Sequence, residues 1–188
     1  MRIDVSVTRC GREAAVRSAW MSGCMLLALL AGAATAASSG PQSSPVKIAV
    51  FDFELEDDSP SAVLLNKSDP HAATMAKVSA AAREQLASSG RYSLLDVSNA
   101  DAKPVRDGTL RRCNGCEADI ARNLGADQSL LGIVRPVTQT DYYVMVVIRD
   151  ARTGKVLDQQ EANIAGDESG WPTGARMLIK HQVLVTPN

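Results

Sequence analysis

The chain has 188 residues, 45% of them hydrophobic and 22% charged, with a formal net charge of −1 at neutral pH. That is enough for one domain with its own core and too little for two. With no basic excess to neutralise phosphates, and aromatics at only 4% to stack on bases, nucleic acid is excluded as a partner class.

The amino terminus is not expected to belong to the fold. Arg2, Arg9, Arg12 and Arg17 form a basic leader, residues 19–31 (AWMSGCMLLALLA) an apolar run of signal-peptide length, and Ala34-Thr35-Ala36 a small-x-small cleavage pattern. Residues 1–36 are therefore expected to be a removed secretory signal. The run falls short of the roughly 20 residues a membrane span needs, which disfavours an anchoring helix. Met21-Ser22-Gly23-Cys24 resembles a lipobox, but the strongly apolar MLLALLA follows Cys24, so a lipid anchor there is the weaker alternative. Cleavage after Ala36 removes four arginines, two acids, Cys10 and Cys24. The mature chain is then mildly acidic, has no second membrane-length apolar run and keeps a single cysteine pair. The implied compartment is the periplasm of a Gram-negative bacterium.

Residues 37–45 (ASSGPQSSP) have the composition of a flexible linker. Residues 46–55 (VKIAVFDFEL) alternate, with Val46, Ile48, Val50 and Asp52 on one face and Lys47, Ala49, Phe51 and Phe53 on the other, which predicts one central strand. A loop over 56–68 leads to Asp69-Pro70, a capping carboxylate followed by proline at the first helical position. Met75, Val78, Ala82 and Leu86 then follow at three- and four-residue steps up to Gly90, the pattern of an amphipathic helix.

A short strand is expected over 91–97 and a polar loop carrying Pro104 and Gly108 over 98–112. A second helix starts at Asn114, with Glu117 in capping-box position, Ile120 and Leu124 on one face and Gly125 as its stop. Residues 128–137, 141–150 and 155–164 are predicted strands, the last two joined by a tight turn through Gly154. Asp167 or Ser169 caps a last helix through Trp171, Leu178 and Leu184. Strands separated by helices give parallel neighbours and the closing meander gives antiparallel ones. The expected fold is therefore an α/β or α+β single domain over 46–188, a mixed sheet of about five strands flanked by about three helices.

Few residues carry chemistry. Cys113 and Cys116 form a CxxC at a helix start, where the helix field would favour a thiolate. No strand precedes the pair and no aromatic flanks it, as thioredoxin-like exchange would want. Haem attachment would need histidine where Glu117 stands, and zinc would need two more ligands than the isolated His71 and His181 suggest. A structural disulfide in an oxidising compartment is the favoured reading, with redox activity the alternative. The acidic run Asp52, Glu54, Glu56, Asp57 and Asp58 is a weak candidate for a hard cation, since the glycine and terminal glutamate of an EF-hand loop are missing. His71 and His181 fit surface and helix-face positions. Neither a nucleophile–histidine–acid set nor a glycine-rich phosphate loop is legible, so no cofactor and no catalytic residue are expected. Tyr142, Tyr143 and Met145 make a strand apolar on both faces, which suits a sheet core or a partner surface.

The segments KIAVFDFELED, SGRYSLLD, CNGCEADIARNLGADQSLLGIV and YYVMVVIRDARTGKVL, with a terminal helix containing GW and LIK, resemble a domain-of-unknown-function family of secreted bacterial proteins. CNGCEADIARNLGAD is the most specific part. AVFDFE, LGAD and DARTGKVL more distantly resemble the amino-terminal domain of TolB and CsgG-like envelope proteins. These resemblances imply a mixed sheet flanked by helices, serving interaction or assembly in the envelope, and a link to periplasmic alcohol oxidation by quinoproteins. They carry over no catalytic residue. The expected function is a non-enzymatic exported accessory domain with a protein partner in the cell envelope. The alternatives are a thiol–disulfide protein using Cys113 and Cys116, and ligand or metal binding near Asp52.

Overall fold

The computed structural model describes residues 44–57 and 71–185. The expected signal, most of the linker, the lipobox Cys24, Asp58 and the Asp69-Pro70 helix start lie outside those residues.

The order is β1 (Val46–Val50), β2 (Glu54–Leu55), α1 (Ala72–Ala87), β3 (Tyr92–Leu95), α2 (Lys103–Arg106), α3 (Cys116–Asn123), β4 (Gln128–Pro136), β5 (Asp141–Asp150), β6 (Val156–Ala165) and α4 (Trp171–Leu178). Single 3-10 turns at Leu110–Arg112 and Glu168–Gly170 precede α3 and α4, and a π turn, Ile179–Val183, extends α4. One mixed, six-stranded sheet results, ordered β3-β1-β4-β5-β6, with β2 paired to β4. β3, β1, β4 and β2 run parallel, and β4, β5 and β6 form the antiparallel meander.

The expected single strand 46–55 is broken. Val50 pairs with Leu130 but Glu54 pairs with Ile133, so this segment spends four residues where β4 spends three. That one-residue slip turns Phe53 onto the face already carrying Ile48 and Val50, while Phe51 joins Ala49 on the opposite face. Strict alternation had placed Phe51 and Phe53 together. The slip survives because α1 satisfies the backbone groups it frees: Phe53 N–H donates to Ser79 Oγ (2.9 Å) and Arg83 donates to the Val50 carbonyl (2.9 Å). Gly132 makes room for the displaced ring, since a Cβ there would lie 2.3 Å from Phe53.

The first sheet face is closed by α1 and α4 over Ile48, Val50, Phe53, Leu130, Val134, Tyr142, Val144 and Ile148. α1 buries Met75, Val78, Ala82 and Leu86, the positions its spacing predicts. Tyr142 is buried, its hydroxyl donating to the Gly170 carbonyl at 2.8 Å. Burial pushes its pKa above the ordinary tyrosine value. α4 can approach this ring only through Gly174, where a Cβ would lie 2.4 Å from the Tyr142 hydroxyl and 2.7 Å from Ile164. The second face is smaller: Ala49, Phe51, Leu131 and Ala151 pack against Leu110, Ala121 and Ala126. α2 lies inside the stretch expected to be loop, started by Pro104 in its first turn.

Gly174→Ala should destabilise the fold by about 1–3 kcal/mol through overpacking, read by chemical denaturation, whereas a solvent-face control such as Arg176→Ala should cost far less. Thr153 holds the Asp150 carboxyl below its ordinary value, first through its hydroxyl and then its amide, and Ser169 does the same for Asp167. A carboxyl depressed in the folded state adds stability above its unfolded value and loses it as pH falls through the lower folded one. The melting temperature should therefore drop as pH falls from about 4 toward 2. Asp150→Asn should flatten that limb.

Candidate functional site

The chain leaves β1, crosses through α1 to β3 on one side, then returns through α2 and α3 to β4 on the other side of β1. Such a reversal of winding opens a crevice beyond the carboxyl ends of the parallel strands. Here the crevice has a volume of about 1220 Å³, floored by Phe51, Leu95 and Val97 and rimmed by Asp52, Arg83, Asp96, Arg106 and Arg112. The Ser98 amide and hydroxyl hold the Asp96 carboxyl below its ordinary value.

The acidic run of the sequence does not converge. Asp52 is exposed and pairs with Arg83 at 2.9 Å. Glu54 is 5% exposed and turns to the second face, accepting from the Leu110 amide (2.6 Å), the Arg111 amide (3.1 Å) and the Arg111 guanidinium (2.9 Å). Glu56 pairs with Arg135 across β4, Nε to Oε2 at 2.8 Å. Asp57 is half-buried, and Asp58 lies outside the described residues. The arginine partners lie 31 to 79 residues away in sequence. Glu54 thereby fastens the 3-10 turn before α3 to β2.

That turn delivers Cys113, which is joined to Cys116 by a disulfide with Cα atoms 5.6 Å apart. Asn114 (φ +47°) and Gly115 (φ +107°) carry the chain between them. Cys116 opens α3, and Gly115, lacking a side-chain cap, precedes it. The expected capping box is therefore not made. Glu117 is instead buried against β5, its Oε1 accepting from Arg149 Nε at 2.8 Å, while Arg149 also donates to the Gly154 carbonyl at 3.1 Å. Its Oε2 is buried without a hydrogen-bond partner. One carboxylate oxygen of Glu117 and the two sulfurs all lie within 4.8 Å of one another. Sequence reasoning missed this carboxylate because its partner lies 32 residues away on a strand.

His71 and His181 are not brought together. His71 precedes α1, with Nδ1 2.9 Å from Glu168 and its ring 5.5 Å from Trp171, and His181 is exposed in the π turn.

The meander presents the remaining surface. On the second face, α3 covers β4, but Tyr143 and Met145 of β5 are only half-buried and Leu157, Gln159, Glu161 and Asn163 of β6 are exposed. Leu157 is 45% exposed. A bond to Glu161 raises the Tyr143 pKa. β6 ends the strand order, so its ten residues pair on one side only among the described residues. Tyr142 thus serves the core, whereas Tyr143 and Met145 serve an open face. No described helix is long and apolar enough to cross a membrane.

The model of the DUF3280 family, described as "Protein of unknown function (DUF2380)", matches residues 46–183. No curated protein matches the chain. Among solved structures, the LpoB C-terminal domain from Salmonella enterica is similar at 14% identity over 65% of this chain and 84% of that one, TM-score 0.46. Lipoprotein GNA1162 from Neisseria meningitidis is similar at 17% identity over 77% and 100%, TM-score 0.49. TolB from Acinetobacter baumannii is similar at 15% identity over 75% of this chain and 28% of TolB, TM-score 0.47. The expected TolB resemblance is present among them, as a distant one.

Glu54→Ala should cost about 3 kcal/mol, because it strands the Arg111 guanidinium, whose side chain is 16% exposed, together with two amides. Glu56→Ala, at an exposed pair, should cost less than about 1 kcal/mol. Chemical denaturation checks both, and amide exchange should show the 103–112 segment loosened only in the first variant.

Proposed function

The chain belongs to the DUF3280 family of proteins of unknown function, and we propose that it is an exported, non-enzymatic accessory domain of the bacterial envelope that docks a protein partner on the open β5–β6 side of its sheet. The observation that carries this reading is the asymmetry of the sheet. One face is sealed by α1 and α4, while the other leaves Tyr143, Met145 and Leu157 accessible beside a ten-residue edge strand. An unpaired edge offers a row of amides and carbonyls that a partner strand can complete, with the flanking side chains choosing the partner. Asp158 and Glu161 on β6 discourage indiscriminate edge pairing. The signal-like leader supports the compartment. An association with periplasmic oxidation chemistry belongs to the same proposal and rests on the family resemblance alone.

The crevice beyond β1 and β3 favours a second reading, in which the domain takes a small ligand beside Asp52. Its apolar floor and charged rim suit an amphipathic molecule, and the position is one where open α/β sheets take ligands.

Site-directed photocrosslinking in living cells separates the two. A crosslinker at Leu157 or Gln159 should trap a discrete envelope protein, while one at Lys180, exposed in the π turn after α4, should not. Met145→Glu combined with Leu157→Asp should lower the trapped yield at least about tenfold, an energetic loss of about 1.4 kcal/mol or more, with the melting temperature nearly unchanged. Equal trapping from both faces, or none from β6, would sink the docking reading.

A further inference from the structure

We propose that reduction of the Cys113–Cys116 bridge converts this corner into a binding site for a thiophilic divalent cation, zinc above all, with the two sulfurs and a carboxylate oxygen of Glu117 as its ligands. The proposal is independent of partner docking on β6.

Three donors of the right kind already converge. Both sulfurs and a Glu117 oxygen sit within 4.8 Å of one another. Zinc–sulfur bonds of about 2.3 Å and zinc–oxygen bonds of about 2.0–2.2 Å at tetrahedral angles put ligand atoms roughly 3.5–3.8 Å apart. The cluster therefore needs small side-chain adjustments once the bridge opens. Two sulfurs in a C-x2-C turn are a recurring half of structural zinc sites. The third ligand is not a histidine but the residue adjoining Cys116, whose carboxylate only the fold turns toward the sulfurs.

The burial of Glu117 points to a ligand. Its side chain is 2% exposed, Arg149 engages Oε1, and Oε2 is enclosed without a hydrogen-bond partner. A buried carboxylate oxygen left in that state is costly, and a cation beside it removes the cost. Charge also closes: two thiolates and a carboxylate carry −3, zinc supplies +2, and Arg149 supplies the remaining +1. Cys116 opens α3, where the helix field favours the thiolate. Both cysteines are half-buried, so a reductant and a hydrated cation can reach them. Water completes the fourth position.

The chemistry balances with a dithiol as reductant. A dithiol gives two electrons and two protons, its own sulfurs join as a disulfide, and the Cys113–Cys116 bond breaks to two thiols. The cation then displaces both thiol protons to solvent as two metal–sulfur bonds and one metal–oxygen bond form.

Cobalt(II) serves as the optical probe and zinc(II) as competitor, using the purified protein with its bridge intact or reduced anaerobically. The reduced protein should bind one cobalt with a thiolate-to-metal charge-transfer band that zinc abolishes, and the oxidised protein should show no band. Cys113→Ser should remove the band, and Glu117→Gln should weaken binding at least tenfold. X-ray absorption at the zinc edge of the reduced wild-type protein needs no variant to fold, and should show two sulfurs with oxygen neighbours. A reduced protein without the band, an all-sulfur shell, or unchanged affinity in a folded Glu117→Gln protein would each overturn the proposal.

Discussion

Between Val50 and Glu54 the chain spends one residue more than the strand beside it, and much of the architecture follows from where that residue goes. A slip inside a parallel sheet takes a carbonyl and an amide out of the ladder, and each then needs another partner. α1 supplies the missing partners through Ser79 and Arg83, so the same helix that seals the first face also fixes the irregularity. The consequences run in opposite directions from there. Phe53 moves into the core under α1, filling the space that Gly132 leaves, while Glu54 moves to the other face.

On that second face the domain is held differently. The apolar cluster is small, and two nearly buried carboxylates, Glu54 and Glu117, work beside it. Each is matched by an arginine, Arg111 and Arg149, and each ties a segment between β3 and β4 to the sheet. Breaking either pair leaves a charge in a poor dielectric, which makes the pairs strict determinants of local path even though their net contribution to stability is modest. The two are not equivalent. Every oxygen of Glu54 is engaged, whereas Glu117 keeps Oε2 buried without a hydrogen-bond partner.

The division between faces also sorts the surface. Helices α1 and α4 use up the first face, and on the second α3 packs on β4 and touches β5 through the Glu117–Arg149 pair. Among the described residues, what remains open is the meander, whose β6 row mixes Leu157 with Gln159, Glu161 and Asn163. An amphipathic row beside an unpaired edge is suited to reversible protein contact: apolar enough to gain from burial, polar enough to remain in solution unpaired. The crevice at the other end of the sheet carries charges that are largely matched in place, Asp52 by Arg83 and Arg106 by the neighbouring Asp101.

Periodicity was sufficient for the elements whose neighbours treat them uniformly. The α1 stripe of Met75, Val78, Ala82 and Leu86, the limits of β5, and the hairpin through Gly154 follow from local spacing and turn chemistry. The mixed sheet follows from element order, because a helix between strands imposes parallel neighbours and a tight turn imposes antiparallel ones. The CxxC pair and the acidic run were visible as residues, but what they touch was not. The slip at Phe51–Phe53, the burial of Glu54 and the turning of Glu117 away from its expected capping position were decided by partners distant along the chain: Ser79, Arg111 and Arg149. A buried charge or a stranded amide is settled by whichever complementary group the tertiary packing brings within about 3 Å. Local spacing determines which way a side chain faces, and only the folded sheet determines what meets it there.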